Sequence, residues 1–173
     1  IFDYRDSDND GILLDINVFE KISYQLNTSD VLYDTALSIG VWHHIIATND
    51  SSNNKVYLNG VEVGSSDSSG QAVDVSSSTV ARIGARSHTS AINYFNGSIS
   101  ELAFYNKNLS ASEVKTIYNG REPYNHKEGV CSNNLVAWYR MGDGVLDTKQ
   151  NDHHSTGIIG DENNTTLSSD MFG

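Results

Sequence analysis

Residues 94–120 read YFNGSISELAFYNKNLSASEVKTIYNG, and the fold follows from them. Asn96-Gly97 is a turn dipeptide. Ile99, Leu102, Ala103, Phe104 and Tyr105 have the β-branched and aromatic content of a half-buried strand that becomes buried on both faces. Ser110 stands three residues before Glu113, the spacing of a capping box: the hydroxyl accepts the Glu113 N–H, and the carboxylate reaches back to the Ser110 N–H. Gly120 supplies a left-handed stop and Pro123 discourages resumption, which predicts one short helix over about 110–119.

Outward from that stretch the chain reads as β. In KVYLNGVEVGSS (55–66) two alternating segments flank Asn59-Gly60, the pair that best tolerates positive φ at both centres of a type I′ turn, so a two-residue hairpin is expected. VWHHIIATND (41–50) reads as a strand with Trp42, His44 and Ile46 on one face. His43 and His44 then point to opposite faces and cannot grip one metal ion together. VARIGARS (80–87) is a further strand, and 65–78 is a small-residue surface loop with at most a short strand. Residues 1–26 give three short strands, IFDYR, ILLDINV and KISYQL.

Between the first two, Asp6, Asp8, Asp10 and Gly11 form D-x-D-x-D-G, the first half of a calcium loop. Its closing bidentate glutamate would fall on Asn17, and no helical pattern flanks it. A polar hairpin tip and a calcium site therefore both remain open. After Gly120 a polar connector, REPYNHKEGVCSNN (121–134), leads to one more strand, NNLVAWYRMGDG (133–144), and then to an Asp-, Asn- and Thr-rich tail unable to build its own core.

Length and charge set the outer bounds. The 173 residues suit one domain, or one with an appendage. The net charge of -11, with 11 Lys plus Arg against 22 Asp plus Glu, argues against nucleic acid and anionic membrane as partners. No apolar run approaches the ~20 residues of a bilayer span. The single cysteine, Cys131, excludes an internal disulfide and reads as a small inert residue or a free thiol. A chain that opens inside a strand at Ile1 reads as part of a longer polypeptide.

The order of the Trp42-His43 strand, the LNG hairpin, the IG strand and FNGSISELAFYNKNLSASEVKTIYNG resembles the laminin-G-like module of the concanavalin A-like lectin and glucanase superfamily, over roughly residues 41–120. Such modules occur in tandem in secreted bacterial proteins and in marine phage virion proteins. The resemblance implies an all-β, two-sheet antiparallel jelly-roll sandwich with one short C-terminal helix. Residues 1–122 would form the module without its usual opening strands, 123–132 a linker, and 133–173 either the opening segment of a second unit or a docking tail.

The resemblance also implies a calcium ion at a loop rim, for which Asp6, Asp8 and Asp10, and less so Asp143 with Asp147, are the available carboxylates. Glucanases of this superfamily use Glu-x-Asp-x-x-Glu on one strand. None of the seven glutamates has that spacing, and Glu101 has Ala103 where the Asp should stand. The expectation is a non-catalytic binding or adhesion module, extracellular or on a virion surface, that holds a glycan or a partner protein. Sugar recognition needs aromatic faces and hydroxyl-binding polar groups, and Tyr33, Tyr57, Tyr94 and Tyr124 are the candidate exposed rings. The alternative is a purely structural decoration, spike or fibre protein held by other copies or subunits of an assembly; a glycoside hydrolase is a remote third.

Overall fold

The structure, a computed structural model, describes residues 1–5, 11–27, 29–67, 81–86, 93–122 and 124–140. They fall in two compact units, Ile1–Phe95 and Asn96–Gly173. Every strand pairing among the described residues is antiparallel.

In the first unit β1 (Phe2–Arg5), β2 (Gly11–Ile16), β3 (Ile22–Leu26), β4 (Ser29–Leu32) and β8 (Arg82–Ile83) form a five-stranded sheet in the order β4-β3-β2-β1-β8. Three further strands, β5 (Ile45–Asn49), β6 (Asn53–Leu58) and β7 (Val61–Asp67), make a second sheet. The register puts Leu14, Tyr24 and Val31 side by side. Side chains two apart share a face, so Ile12, Ile16 and Ile22 join them. Ile22, Tyr24 and Val31 meet Val56 of the second sheet in one buried cluster, flanked by Ile45, Ala47, Leu58 and Val63. Two apolar faces closing on each other make the sandwich, and Ile22 and Val56 are fully sealed. Truncating Ile22 to alanine would cost about 2–5 kcal/mol. At Gly64 an added Cβ would lie 2.8 Å from Val31 Cγ1, so a side chain there would force Val31 to shift.

The opposite face of the five-stranded sheet carries a buried ion pair beside the buried Leu13. Asp3 and Arg5, two apart on β1, form a bidentate pair at 2.8 and 3.0 Å, and Arg5 also donates to Gln25 at 3.3 Å. Both charges are almost fully buried, and each is compensated by the other.

The second unit holds β9 (Leu102–Tyr105), α1 (Ala111–Tyr118) and β10 (Leu135–Tyr139), with β10 paired to β9. The expected all-β jelly-roll sandwich with one short helix is what the chain adopts. Both arms of the capping box are present at Ser110 and Glu113, and Val114 and Ile117 are the buried side of the helix. Leu109 and Val114 occupy the two positions of a hydrophobic staple, and both are buried. Asn119 (φ 48°) takes the first left-handed position, one residue before the expected Gly120 (φ 65°). No helix among the described residues is long and apolar enough to cross a membrane.

Two strands are shorter than their sequence suggests. β5 starts at Ile45, opposite Leu58, because β6 has already entered its turn: Asn59 takes both backbone groups of His44, accepting its N–H at 3.0 Å and donating to its carbonyl at 2.8 Å. Val41, Trp42 and His43 therefore have no ladder partner, and Trp42 does not share a strand face with Ile46. Likewise β9 starts at Leu102 rather than Ile99, because Glu101 is left-handed (φ 56°). All four β9 residues are half-buried, not buried on both faces.

Candidate functional site: the hollow beside Trp138

Three local features of the second unit converge on one side chain. The first is a register shift between Leu135 and Ala137, where two steps along β10 match one along β9. Such a bulge re-aims the side chains beyond it. Val136 is left exposed, while Ala137 and Trp138 are both buried. The second is Glu101, whose left-handed backbone is a strained choice for a residue with a Cβ. Its N–H and the Ser100 hydroxyl both donate to the Arg140 carbonyl, at 3.3 and 3.0 Å, which anchors the kink to the end of β10. The third is the turn after Tyr124. Asn125 accepts the Gly129 N–H on its carbonyl (2.9 Å) and the Lys127 N–H on Oδ1 (3.1 Å), and donates Nδ2 to Glu128 (2.9 Å). Gly129 makes room for the Tyr124 ring, since a Cβ would fall 2.0 Å from its hydroxyl and displace it.

The result is an aromatic cluster with charge along one side. The His126 ring lies 5.1 Å from both Trp138 and Tyr124, edge-on, and 5.9 Å from Tyr105. Its Nδ1 is hydrogen-bonded to the Tyr105 hydroxyl. Burial pushes the Tyr105 phenol well above its ordinary range, so the phenol is neutral in this bond. The Trp138 indole N–H donates to Glu101 Oε2 at 2.6 Å, and Arg140 Nε stands 3.6 Å from Glu101 Oε1. Arg140 Cζ and Lys127 Nζ lie over the indole at 5.5 and 5.8 Å, within cation–π range. Glu101, Tyr124, Asn125, Lys127, Trp138 and Arg140 line an open hollow of about 370 Å³. One carboxylate, one amide, two cations and two aromatic rings thus face the same space.

Of the four tyrosines singled out from sequence, only Tyr124 lies at this hollow. Tyr57 was expected to be exposed and is not: at 2% exposure its ring is enclosed on the central strand of its sheet, opposite Ile46 and Glu62. Tyr33 packs against the apolar cluster of the first unit, and Tyr94 is 41% exposed. Trp138, Lys127, Arg140 and Asn125 were not anticipated. Their signal was an aromatic-basic WYR strand end following a polar connector with Tyr124 and His126, which says nothing of which strand they meet.

Asp6, Asp8, Asp10, Asp143 and Asp147 lie outside the described residues. Among those described, no group of three or more His, Cys, Asp or Glu side chains is arranged for a metal ion. Asn17, at the closing position of the calcium pattern, accepts the Phe19 and Lys21 N–H groups on Oδ1 at 2.9 and 3.2 Å and builds the β2–β3 turn. Burial lowers the His44 pKa to about 4, and His43 Nε2 is hydrogen-bonded to the Ser38 carbonyl. Cys131 donates to Glu113 at 3.0 Å, and its thiol is raised above its ordinary range by burial and by that carboxylate.

The chain belongs to the laminin-G-like family of the concanavalin A-like lectin/glucanase superfamily, whose model matches residues 1–115. Five of the six residues lining the hollow lie beyond that segment. No curated protein matches the chain. Two solved structures are similar. One is a candidate carbohydrate-binding protein of Bacteroides ovatus, at 14% identity and TM-score 0.55, over 86% of this chain and 47% of that one. The other is an S-layer domain-containing protein of Clostridium thermocellum, at 20% identity and TM-score 0.43, over 65% of each chain. The chain thus spans about half and two-thirds of their lengths, and at these identities the likeness concerns the fold.

Proposed function

We propose that the chain is a non-catalytic binding module that holds a carbohydrate or a partner protein at the Trp138 hollow, on an extracellular surface. The observation that carries this is the convergence of Trp138, Tyr124, Asn125, Glu101, Lys127 and Arg140 on one open space beside the β9–β10 ladder. Concave sites lined by rings and a few oriented polar groups are how proteins hold small ligands. Glycosidic hydrolysis asks for two carboxyl groups about 5–10 Å apart. The hollow is lined by one, and that one is engaged by the indole and by Arg140. The carbohydrate-binding description of the Bacteroides ovatus protein agrees with the proposal at the level of fold only. Glycan-array binding by the full chain, abolished by Trp138→Ala with the fold retained by circular dichroism, is the expected result. Glycan binding unaffected by Trp138→Ala, or hydrolysis of a bound glycan, would overturn it.

A second reading has its own observation. Val18 and Phe19 at the β2–β3 turn, and Ile39 and Val41 before β5, are 88%, 67%, 84% and 55% exposed. Exposed apolar residues of this kind suit subunit contacts, as in a structural component of a virion or another surface assembly. A concentration-dependent oligomer in native mass spectrometry, lost in Phe19→Ser, would favour this reading; a monomer at every concentration would remove it.

A further inference from the structure

We infer that the ligand of the Trp138 hollow is an acidic saccharide, one that carries a carboxylate such as a uronate; this rests on the hollow being the binding site. A neutral sugar is held by laying its apolar face on an open aromatic ring. The Trp138 ring is closed to that use. It is 8% exposed, with the Arg140 guanidinium at 5.5 Å and the Lys127 ammonium at 5.8 Å over it and His126 edge-on at 5.1 Å. Beside the half-buried Tyr124 ring and the Asn125 amide, what the hollow offers is two cationic groups set over an indole.

Charge points the same way. Lys127 and Arg140 face one carboxylate, so the lining carries a formal charge of +2 − 1 = +1 in a chain of net charge -11. That carboxylate is held by the indole N–H at 2.6 Å and by Arg140 at 3.6 Å. Glu128 is bound to the Asn125 amide, outside the lining. Arg140 has Glu101 on one side and the ring on the other and presents a planar fork; Lys127 is exposed and adds a point charge. A ligand carboxylate meeting both would gain charge-assisted hydrogen bonds, which are about twice as strong as neutral ones. The surrounding negative field would disfavour anions elsewhere on the surface.

Titration calorimetry of the full chain with oligogalacturonate, a neutral galacto-oligosaccharide and a polyglutamate peptide tests this. Oligogalacturonate is expected to bind best, to weaken severalfold or more between 50 and 500 mM salt as screening requires, and to lose about tenfold in affinity in Lys127→Gln, equal to ~1.4 kcal/mol. Lys127 is exposed, so this variant should fold. Equal binding of the neutral sugar, unchanged in Lys127→Gln, would overturn the acidic ligand and leave the binding site standing. Preference for polyglutamate would overturn a saccharide ligand. No binding of either sugar would remove both the inference and the site as a glycan site.

Discussion

The indole N–H of Trp138 donates to Glu101 Oε2 at 2.6 Å, and Glu101 makes that bond from a left-handed backbone (φ 56°) at the start of β9. A glycine would occupy this conformation with less strain, yet a carboxylate is present and joins two strand ends. Glu101→Ala should leave the mostly buried indole N–H without its acceptor and destabilise the protein by about 1–3 kcal/mol. Glu101→Gln, which keeps an acceptor, should cost less. Urea unfolding midpoints check the order; equal stability of Glu101→Ala and the parent would contradict the role given to this bond.

Gly11 closes the D-x-D-x-D-G stretch, and its geometry accounts for the glycine without a metal. Its φ is +119°, it pairs with Arg5 across the β1–β2 ladder, and an added Cβ would lie 2.3 Å from the Tyr4 carbonyl oxygen. Backbone cannot move aside as a side-chain tip can. Gly11→Ala should therefore destabilise by more than about 2 kcal/mol, equally in calcium and in chelator. A near-neutral effect would contradict the placement of Gly11.

Calcium at Asp6, Asp8 and Asp10 is a separate proposal. Since Asn17 holds the β2–β3 turn, an ion there would take aspartate and backbone oxygens, with no twelfth-position ligand. An ion bound only by the folded chain raises its melting temperature. The expected outcome is a rise in millimolar calcium that vanishes in Asp8→Ala; a melting temperature identical in calcium and chelator would remove the site.

His44 gives the pH dependence. Its folded pKa is lowered by burial to about 4, below the 6.5 of an unfolded chain. The unfolded state then binds more protons between these values, so the stability from keeping His44 neutral is full above pH 6.5 and is lost as pH falls toward 4. Glu113, lowered to about 2 by its hydrogen bonds from Cys131, Lys107 and Ser110, acts in a lower window, from about 4.5 down to 2. The difference in unfolding free energy between the parent and His44→Gln should shrink as pH falls from 6.5 to 4. A difference constant with pH would contradict it.

What could be read from sequence was local. The Asn59-Gly60 turn and the Ser110–Glu113 box are complete within a few residues, and both form as read, with φ of 51° and 79° in the turn. Strand ends were less legible because they depend on a partner: Val41 to His43 have strand composition, but β6 turns away before reaching them. The site was least legible. Tyr124 could be picked out as a ring near polar groups, but Glu101 and Trp138 are 37 residues apart and meet only through the β9–β10 ladder and its bulge. Neither the left-handed Glu101 nor the register shift has a sequence signature.

The central claim is that ligand binds at the Trp138 hollow, and NMR titration of the full chain with its best glycan-array ligand tests it most directly. Saturable shifts of the Trp138 indole N–H and of the Lys127 and Asn125 amides, with the Trp42 indole unmoved, are the predicted result. Saturable shifts that leave the Trp138 indole in place and cluster around Tyr33, Tyr94 or Trp42 would contradict it.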